Sequence, residues 1–568
     1  MNTKMLFCIS VLTVVACLSA CSRKDPLEEY GEYAPPDAYL EGSKHPYYGS
    51  ENPWDRRFFT KALNLYGRRG QRQMLDIIEG KPAEAAAYCR QLLANDPTDL
   101  ESRFNLAVAE AHLGNIDAAM SAVRDAVERG LPFERFIVGP RDVLKPLTES
   151  EAFKKYAASR PPVQLLHGPM LGSVTETSAR FWVRTKDEVP VQAVVTKLQD
   201  PRNPIRSEVR KTEAARDYTA IVEVQGLSAA TTYSYDIIID GKPALSAPLP
   251  SFRTFPKADA RISFQVAFGG CAGYTPANER MWDLIRSYKP EAFLTLGDNV
   301  YIDLPTMPNG LHYYTYYQRQ SRPEFRRLVS TTPIYAIWDD HDCAIDDVWM
   351  GPYKDKPPWK MPLFNQFREN WANPSYGDPE WPGCWFNFSI GPVEFFMLEC
   401  RFYRTNPYDK NPTMLGPVQK AWLKEKVRQS QATFKVLASS VEWTFDAKGA
   451  ARDTWAGFRD ERNEIFNFLA ENRINGVILL SSDRHRSEAW RIDRPNGYSL
   501  YEFESARLTN EHVHELVPGA LFGYNALQSF GLLTFDFTGP NPTVNYQIIS
   551  INNESVHSLT VRLSDLSH

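Results

Sequence analysis

Beyond its first 21 residues the sequence has no closely spaced cysteine pairs, although its 568 residues contain eight cysteines in all. Cys8 and Cys17 lie in the apolar N-terminal stretch and Cys21 follows it directly. The five remaining thiols are scattered along the chain, at Cys89, Cys271, Cys343, Cys384 and Cys400. An odd number of scattered thiols excludes a disulfide framework as the basis of the fold. Apolar cores must hold the chain together, and its length is enough for several domains.

A block of basic residues is also missing, and the formal net charge is −5. Nucleic acid is therefore not expected as a partner, because binding to phosphate backbones needs clustered positive charge. The sequence has no Gly-x-Ser-x-Gly stretch either, which argues against a serine hydrolase.

A single stretch is long and apolar, MLFCISVLTVVACLSA, and it follows a lysine. It is shorter than the roughly 20 residues of a spanning helix, so it predicts a signal peptide at 1–20. Leu18-Ser19-Ala20-Cys21 resembles the bacterial lipobox, which implies a lipid on Cys21 and attachment to a membrane. Localisation is then the bacterial cell envelope, on the outer membrane or a surface facing the periplasm or exterior. The alternative is an ordinary signal peptide with an incidental Cys21.

Residues 21–55 are rich in Pro, Gly, Tyr and charge without periodicity, which predicts a tether. Residues 56–158 are predicted to be helical and to contain a repeat, since Gly80 and Gly114 are 34 residues apart, as are Ala85 and Ala119. That period is typical of the tetratricopeptide helix pair. The region could bind a protein partner, but packing against the rest of the chain is the preferred interpretation.

The chain after the helical region shows patterns that are typical of strands. SARFWVRT alternates apolar and polar residues, and Asp240-Gly241 is typical of a hairpin turn. These features predict a small all-β sandwich of fibronectin or immunoglobulin type at 162–256. From 260 to 568, apolar strands alternate with helical stretches, which predicts a layered α/β domain.

In that last region, five apolar strands each end in polar residues. The motifs are Cys271, then Asp298 with Tyr301, then Asp339 to Asp342, then Glu399 to Arg401, and finally Asp483 with His485. Strand ends of an open α/β sheet share one edge, where ligands bind. Buried carboxylates that meet there need a cation. Carboxylate and phenolate oxygens with an imidazole and a thiolate suit iron beside calcium or another hard divalent ion.

The stretches GGC, LGDNVYID, IYAIWDDHD, LECRFYR and LLSSDRH resemble those of the PhoD-like alkaline phosphatases and phosphodiesterases. These enzymes are a branch of the calcineurin-like metallophosphoesterases. The resemblance covers residues 260–568 and implies an α/β metallophosphoesterase-type sandwich. The family also carries a fibronectin-like N-terminal domain, which the 162–256 segment would supply.

The resemblance implies metal-ligand roles for seven residues: Cys271, Asp298, Tyr301, Asp340, Asp346, Asp483 and His485. Asp298 would bridge two ions and His341 would be the general acid. Arg401 is a candidate for holding phosphate oxygens, since a guanidinium fork matches them, and the alternative for Arg401 and Arg404 is a role in surface salt bridges. The chain departs from the family pattern at Ser482, where glycine is usual, and at Glu399, where aspartate is usual. Asp346 stands where the family often has asparagine.

The sequence therefore predicts an exported, lipid-anchored, metal-dependent phosphoester hydrolase in which a metal-activated hydroxide attacks phosphorus in line. An alternative is a catalytically inactive metal-binding scaffold lipoprotein that binds a partner through its helical and β-sandwich regions. A nuclease is less favoured because no basic groove is evident. The Trp-, Pro- and Tyr-rich segment 349–384 is a candidate lid that would decide between monoesters and diesters.

Overall fold

A computed structural model describes residues 69–449 and 451–568. The predicted signal peptide at 1–20, the lipidation site Cys21, the tether at 21–55 and the first part of the helical region lie outside the described residues. Those features stay predictions.

The helical region begins with two antiparallel helix pairs whose members are joined at Gly80 and Gly114. Both glycines have positive φ, 77° and 79°, a conformation that costs a residue without a β-carbon little. Three shorter helices follow the two pairs. The helices are α1 (Gln71–Ile78), α2 (Pro82–Asn95), α3 (Leu100–His112), α4 (Ile116–Glu128), α5 (Glu134–Val138), α6 (Arg141–Thr148) and α7 (Glu151–Ala158).

Nine strands come next, with a 3₁₀ turn at Ala214–Arg216. They are β1 (Leu165–Gly172), β2 (Ser178–Thr185), β3 (Pro190–Lys197), β4 (Asp200–Arg206), β5 (Arg210–Lys211), β6 (Thr219–Gln225), β7 (Thr232–Ile239), β8 (Lys242–Pro243) and β9 (Ser251–Arg253). Strand β7 buries every second residue, as the sequence pattern predicts for a half-buried strand.

The remaining chain alternates strands and helices before ending in a strand meander. Its strands are β10 (Ser263–Gly269), β11 (Ala292–Leu296), β12 (Ile334–Ile337), β13 (Phe386–Ile390), β14 (Val393–Met397), β15 (Phe434–Ala438), β16 (Val477–Ser481), β17 (Ser487–Ile492), β18 (Leu500–Ser505), β19 (Phe522–Tyr524), β20 (Ser529–Asp536), β21 (Thr543–Ser550) and β22 (Ser555–Arg562). Its helices are α8 (Arg280–Ser287), α9 (Gly310–Gln320), α10 (Pro323–Val329), α11 (Asp340–Cys343), α12 (Lys360–Arg368), α13 (Gly416–Gln429) and α14 (Arg459–Glu471), with 3₁₀ turns at Pro276–Asn278, Trp455–Gly457 and Leu563–Leu566.

Two large sheets pack face to face. One has nine strands in the order β22-β21-β20-β10-β11-β12-β1-β2-β6, and the other has seven in the order β13-β14-β15-β16-β18-β17-β19. Strands β10, β11 and β12 run parallel to one another, as do β14, β15 and β16. Phe535 of the first sheet contacts Phe395 and Phe434 of the second, with ring centroids 6.1 and 5.7 Å apart. The largest apolar core lies between the sheets.

Helices cover both outer faces of the two sheets. On the nine-stranded side, Trp282 of α8 packs on Phe293 of β11 and on Phe325 of α10. On the seven-stranded side, Leu423 of α13 and Ile465 of α14 share an apolar cluster with the buried residues of β14, β15 and β16. The result is a four-layer helix–sheet–sheet–helix arrangement. Among the described residues, no helix is both long and apolar enough to traverse a bilayer.

The strands of the 162–256 segment divide between two sheets. Strands β3, β4, β5, β7, β8 and β9 form a six-stranded sheet of their own, whereas β1, β2 and β6 extend the nine-stranded sheet. The junction is the parallel pair of β1 with β12, in which Gly172 lies opposite Ile334. The predicted division at about 256–260 separates two stretches of sequence, but hydrogen bonding continues across it.

Replacing Phe535 by alanine tests the packing between the two large sheets. Its ring is buried and contacts aromatic rings from both sheets. Since removing a buried aromatic side chain leaves a cavity, Phe535→Ala should lower the free energy of unfolding by about 3–5 kcal/mol. Denaturant titration measures this change. Thr560→Ala, on the exposed side of β22, is the control, and an equally small effect of both substitutions would contradict this packing.

Candidate metal centre

Five strand ends place their polar residues at one edge of the paired sheets. Each motif begins two residues beyond the last residue of its strand: Cys271 after β10, Asp298 after β11, Asp339 after β12, Glu399 after β14 and Asp483 after β16. Parallel pairing aligns the ends of β10, β11 and β12 in one sheet and those of β14 and β16 in the other, and the face-to-face packing of the two sheets puts both sets at a shared edge. The sequence predicts the shared edge, but in a single open sheet.

The backbone at this edge is strained. Cys271, Asp298, Asp483 and His485 have positive φ, at 57°, 52°, 78° and 50°. Residues with a β-carbon rarely adopt this region, and each such residue costs of order 1–3 kcal/mol. The surrounding structure therefore holds the backbone of these four residues in an unfavourable conformation.

Cys271, Asp298 and His485 form the first group of ligand atoms. One atom from each of the three lies within 4.8 Å of the other two, and all three side chains are buried. The Tyr301 hydroxyl donates a hydrogen bond to Asp298 Oδ2 over 2.9 Å. A thiol, a carboxylate, an imidazole and a phenol thus meet at one point.

Three further groups are linked to the first, one through Asp298 and the other two through Asp340. They consist of Asp298, Asp340 and His341, of Asp339, Asp340 and Asp483, and of Asp340, Asp346 and Asp347. Asp298 belongs to two groups and Asp340 to three, so the carboxylates form one continuous cluster. All seven residues that the family resemblance implies as ligands lie in or against this cluster.

Burial dominates the electrostatics of the cluster. It raises the pKa of Asp298 well above its usual value, and the negative charges of Asp340 and Asp339 raise it further, against the lowering effect of His341. Burial likewise raises the pKa of Asp339 to about 8, although Arg401 lowers it. Asp298 Oδ1 and Asp339 Oδ2 are buried and accept no hydrogen bond. Oxygens in this state are suited to a cation.

Arg401 occupies the centre of a buried ion-pair network. Its guanidinium pairs with Asp339, with Asp340 at 3.4 Å and with Asp453 at 2.7 Å. Burial alone would raise the pKa of Asp453, but Arg401, Arg404 and Lys448 hold it well below its usual range. The structure thus places Arg401 against carboxylates of the site. The phosphate-binding role that the resemblance implies for it stays a prediction.

His341 has a carboxylate partner that sequence reasoning missed. Its Nδ1 lies 2.6 Å from Asp303 Oδ1, and its Nε2 lies 3.6 Å from Asp346 Oδ1. The ring stacks on Tyr301 with centroids 4.4 Å apart. Asp303 stands in the quoted motif LGDNVYID, two residues after Tyr301, but nothing in the sequence indicates that it faces His341.

Lys448 and two histidines are further residues that the sequence did not point to. Lys448 Nζ lies 2.7 Å from Asp347 and 3.1 Å from Asp453. His512 and His514 pack against His485, with ring centroids 4.9 and 5.7 Å apart. Their His-x-His spacing after the strand YEFES is a signal that could have found them.

The structure accommodates Ser482, the serine at a position where the family usually has glycine. A β-carbon on Gly270 would lie 2.2 Å from Ser482 Oγ, so the absent side chain of Gly270 leaves the space that Ser482 fills.

Glu399 points away from the cluster, because its carboxylate accepts hydrogen bonds from the Trp338 indole at 2.6 Å and from the backbone of Arg401 and Phe402. The additional methylene of glutamate, compared with aspartate, thus places the carboxylate where it makes these hydrogen bonds behind the site.

Most of the candidate lid packs into the protein. Trp349, Phe364 and Trp371 belong to the main core, and the buried Lys360 ammonium lies within hydrogen-bonding distance of the Met350, Gly351 and Tyr353 carbonyls. Residues 354–356 are exposed. A lid function therefore stays a prediction for that short exposed part.

Comparisons with known proteins agree with this geometry. Residues 266–522 match the model of the PhoD-like phosphatase family. We refer to residues 266–522 as the PhoD-like domain. Alkaline phosphatase D of Bacillus subtilis (strain 168) is 24% identical over 357 residues, which cover 54% of this chain and 59% of that protein. The chain thus spans less than two thirds of the length of this curated relative.

Two solved structures share the fold of the PhoD-like domain and its neighbours. A structure of PhoD superposes with a TM-score of 0.57 at 17% identity, covering 69% of this chain and 88% of that chain. A purple acid phosphatase from yellow lupin (Lupinus luteus) seeds gives a TM-score of 0.54 at 11% identity, covering 70% of this chain and 75% of that chain. The predicted fold class is confirmed.

Two further models match upstream of the PhoD-like domain. Residues 76–131 match a tetratricopeptide repeat, as the 34-residue spacing predicts. Residues 162–257 match a domain of unknown function, DUF7800.

Removing the Arg401 guanidinium should destabilise the PhoD-like domain. Arg401→Met retains much of the side-chain volume but leaves Asp339, Asp340 and Asp453 without their shared counter-charge. Breaking a buried pair from one side typically costs 3–5 kcal/mol, and we expect a loss of about this size in denaturant titrations. Arg428→Met, which removes an exposed arginine from α13, should change stability little. Equal free energies of unfolding for Arg401→Met and Arg428→Met would show that the ion pairs of Arg401 contribute nothing to stability.

Proposed function

We propose that the PhoD-like domain hydrolyses phosphoric esters with the help of bound metal ions. The observation that carries this proposal is the buried cluster around Asp298, in which ligand atoms from separate strand ends lie within 4.8 Å of one another. The match to the PhoD-like family and the relative named alkaline phosphatase D support the choice of reaction. The proposal covers phosphomonoesters and phosphodiesters, and the test below uses one of each.

Two kinds of ligand set lie side by side in the cluster. Cys271, Asp298, Tyr301 and His485 combine sulfur, oxygen and nitrogen donors, which suit a transition metal such as iron. Asp340, Asp346 and Asp483 offer carboxylate oxygens, which suit calcium or another hard divalent ion. Asp298 also has a ligand atom within 4.8 Å of Asp340, so its carboxylate would be available to either set. When bound, such ions supply a water acidic enough to attack phosphorus at neutral pH and positive charge for the phosphoryl oxygens.

The chain's own residues complete the reaction. His341 donates its Nδ1 proton to Asp303, so the carboxylate stabilises the imidazolium and leaves the Nε2 proton for the departing alkoxide. Proton transfer of this kind contributes about 10²- to 10⁴-fold to the rate. Arg401, itself paired with Asp453, holds Asp339 and Asp340 from behind the cluster. Because these charged groups are already in place, they need not reorganise during the reaction.

Asp298→Asn tests the metal cluster. We expect bound metal to fall in elemental analysis and kcat/KM for p-nitrophenyl phosphate and its bis-ester to fall by about 10²-fold or more. Asp493→Asn removes a carboxylate that is 74% exposed and should change neither quantity. Metal bound by the wild-type protein without turnover of either ester would favour the inactive scaffold.

His341→Asn tests the general acid. Because p-nitrophenolate leaves readily without a proton, the substitution should slow hydrolysis of alkyl phosphates much more than that of p-nitrophenyl esters, with a difference of about 10²-fold. His557→Asn on β22 is the matched control. If both kinds of ester slow equally and metal is lost, His341 acts as a ligand instead, as its place in the group with Asp298 and Asp340 would allow.

A further inference from the structure

The loop that follows β11 has its apolar side chains in the core of the helical region. Val300, Ile302 and Leu304 are buried in the same cluster as Met74 of α1 and Phe104 of α3. The polar residues of that loop, Asp298 and Tyr301, face the metal cluster. The loop therefore lies between the helical repeats and the site, and one side of it contacts each.

Gln71, at the start of α1, forms a direct hydrogen bond to this loop. Its side chain is 2% exposed, and its Nε2 donates to the backbone carbonyl of Tyr301 over 2.5 Å and to Thr315 Oγ1 over 3.0 Å. The bond to Tyr301 joins residues 230 positions apart in the sequence. An amide that donates to two fixed acceptors holds the peptide group of Tyr301 at a defined place.

The surroundings of this contact leave little freedom. Gln71, Tyr301 and Thr315 line a small cavity of about 20 Å³, roughly enough for a single water molecule. Gln318 of α9 donates to the Arg69 carbonyl over 3.0 Å, and the Tyr314 hydroxyl donates to Glu101 of α3 over 2.6 Å. Several buried polar contacts thus attach the start of the helical region to α9, directly behind the site.

We infer that Gln71 is a positioning residue for Tyr301, so that the first helix of the repeat region helps to build the metal centre. The inference rests on the proposed function, because it assigns Tyr301 to that centre. The Tyr301 phenol donates to Asp298 over 2.9 Å, and its ring stacks on His341 at 4.4 Å. A shift of the Tyr301 peptide group therefore moves one side chain with two roles. Tyr301 is a proposed metal ligand, and its ring is stacked on the proposed general acid.

The expected loss of metal affinity follows from how metal sites respond when hydrogen bonds that support a ligand are removed. Removing a group that orients a ligand typically costs 10- to 100-fold in metal affinity or activity. Gln71→Met retains the length and most of the volume of the side chain but removes both hydrogen bonds. We expect affinity for the bound ion, measured by competition with a chelator, to fall at least about tenfold, together with kcat and with little change in KM.

Gln318→Met is the matched control. Gln318 is also a buried glutamine of the same interface and donates to a backbone carbonyl, but that carbonyl belongs to Arg69 rather than to the loop. A merely structural role of Gln71 would give both variants the same loss of thermal stability and the same metal affinity. If Gln71→Met does not fold, Gln71→Asn, which withdraws the amide by one methylene, should show the same loss of affinity.

A double substitution separates positioning from general damage. If Gln71 acts through the Tyr301 phenol, Gln71→Met should add no further loss of metal affinity in a protein that already carries Tyr301→Phe. Additive losses, or a metal affinity of Gln71→Met equal to that of Gln318→Met, would overturn the inference. The affinity measurement does not depend on turnover, so a wild-type protein that binds metal and hydrolyses neither ester would refute the proposed function but leave the inference about Gln71 to be decided separately.

Discussion

Mutual repulsion among buried carboxylates at the edge of the paired sheets is the constraint on which the rest of the site depends. Asp298, Asp339, Asp340 and Asp483 lie in overlapping groups and are between 1% and 9% exposed, and bringing such charges together without counter-charge is strongly unfavourable. Arg401 and Lys448 supply part of the balance from behind. The positive φ of Asp298 and Asp483 shows that the surrounding structure holds the backbone of these strand ends in an unfavourable conformation. The protein thus uses folding energy to hold open a place for positive charge.

The sequence was sufficient to predict the strand-end motifs, because each is local: an apolar strand followed within two residues by a ligand-forming side chain. The general topology of α/β sheets then brings Cys271 and Asp298 together through the parallel pair of β10 and β11, whereas His485 comes from the other sheet and joins them through the packing of the two sheets. The 34-residue repeat was readable for the same reason, since Gly80 and Gly114 mark turns within a short stretch of chain.

Partners distant in the sequence could not be predicted. Asp303 faces His341 across 38 positions and Arg401 reaches Asp453 across 52, and no periodicity encodes such pairs. A single buried arginine looks the same in the sequence whether it contacts a ligand or a carboxylate. The contact of Gln71 with Tyr301 belongs to the same class, because a glutamine in the first turn of a helix is ordinarily a surface residue. These contacts depend on tertiary packing alone.

The pairing of β1 with β12 has a consequence for how the chain could be divided. Because β1, β2 and β6 continue the nine-stranded sheet, a protein beginning near residue 260 would end that sheet at β12, a buried apolar strand. The pairing of β1 with β12 is short, with Gly172 opposite Ile334, and the Asn373 side chain bonds the backbone N–H and C=O of Ala336 in β12. Division of the chain at this seam would therefore expose mainly apolar surface, and an exposed apolar edge favours association with other chains. The upstream strands act as a permanent cover for that edge.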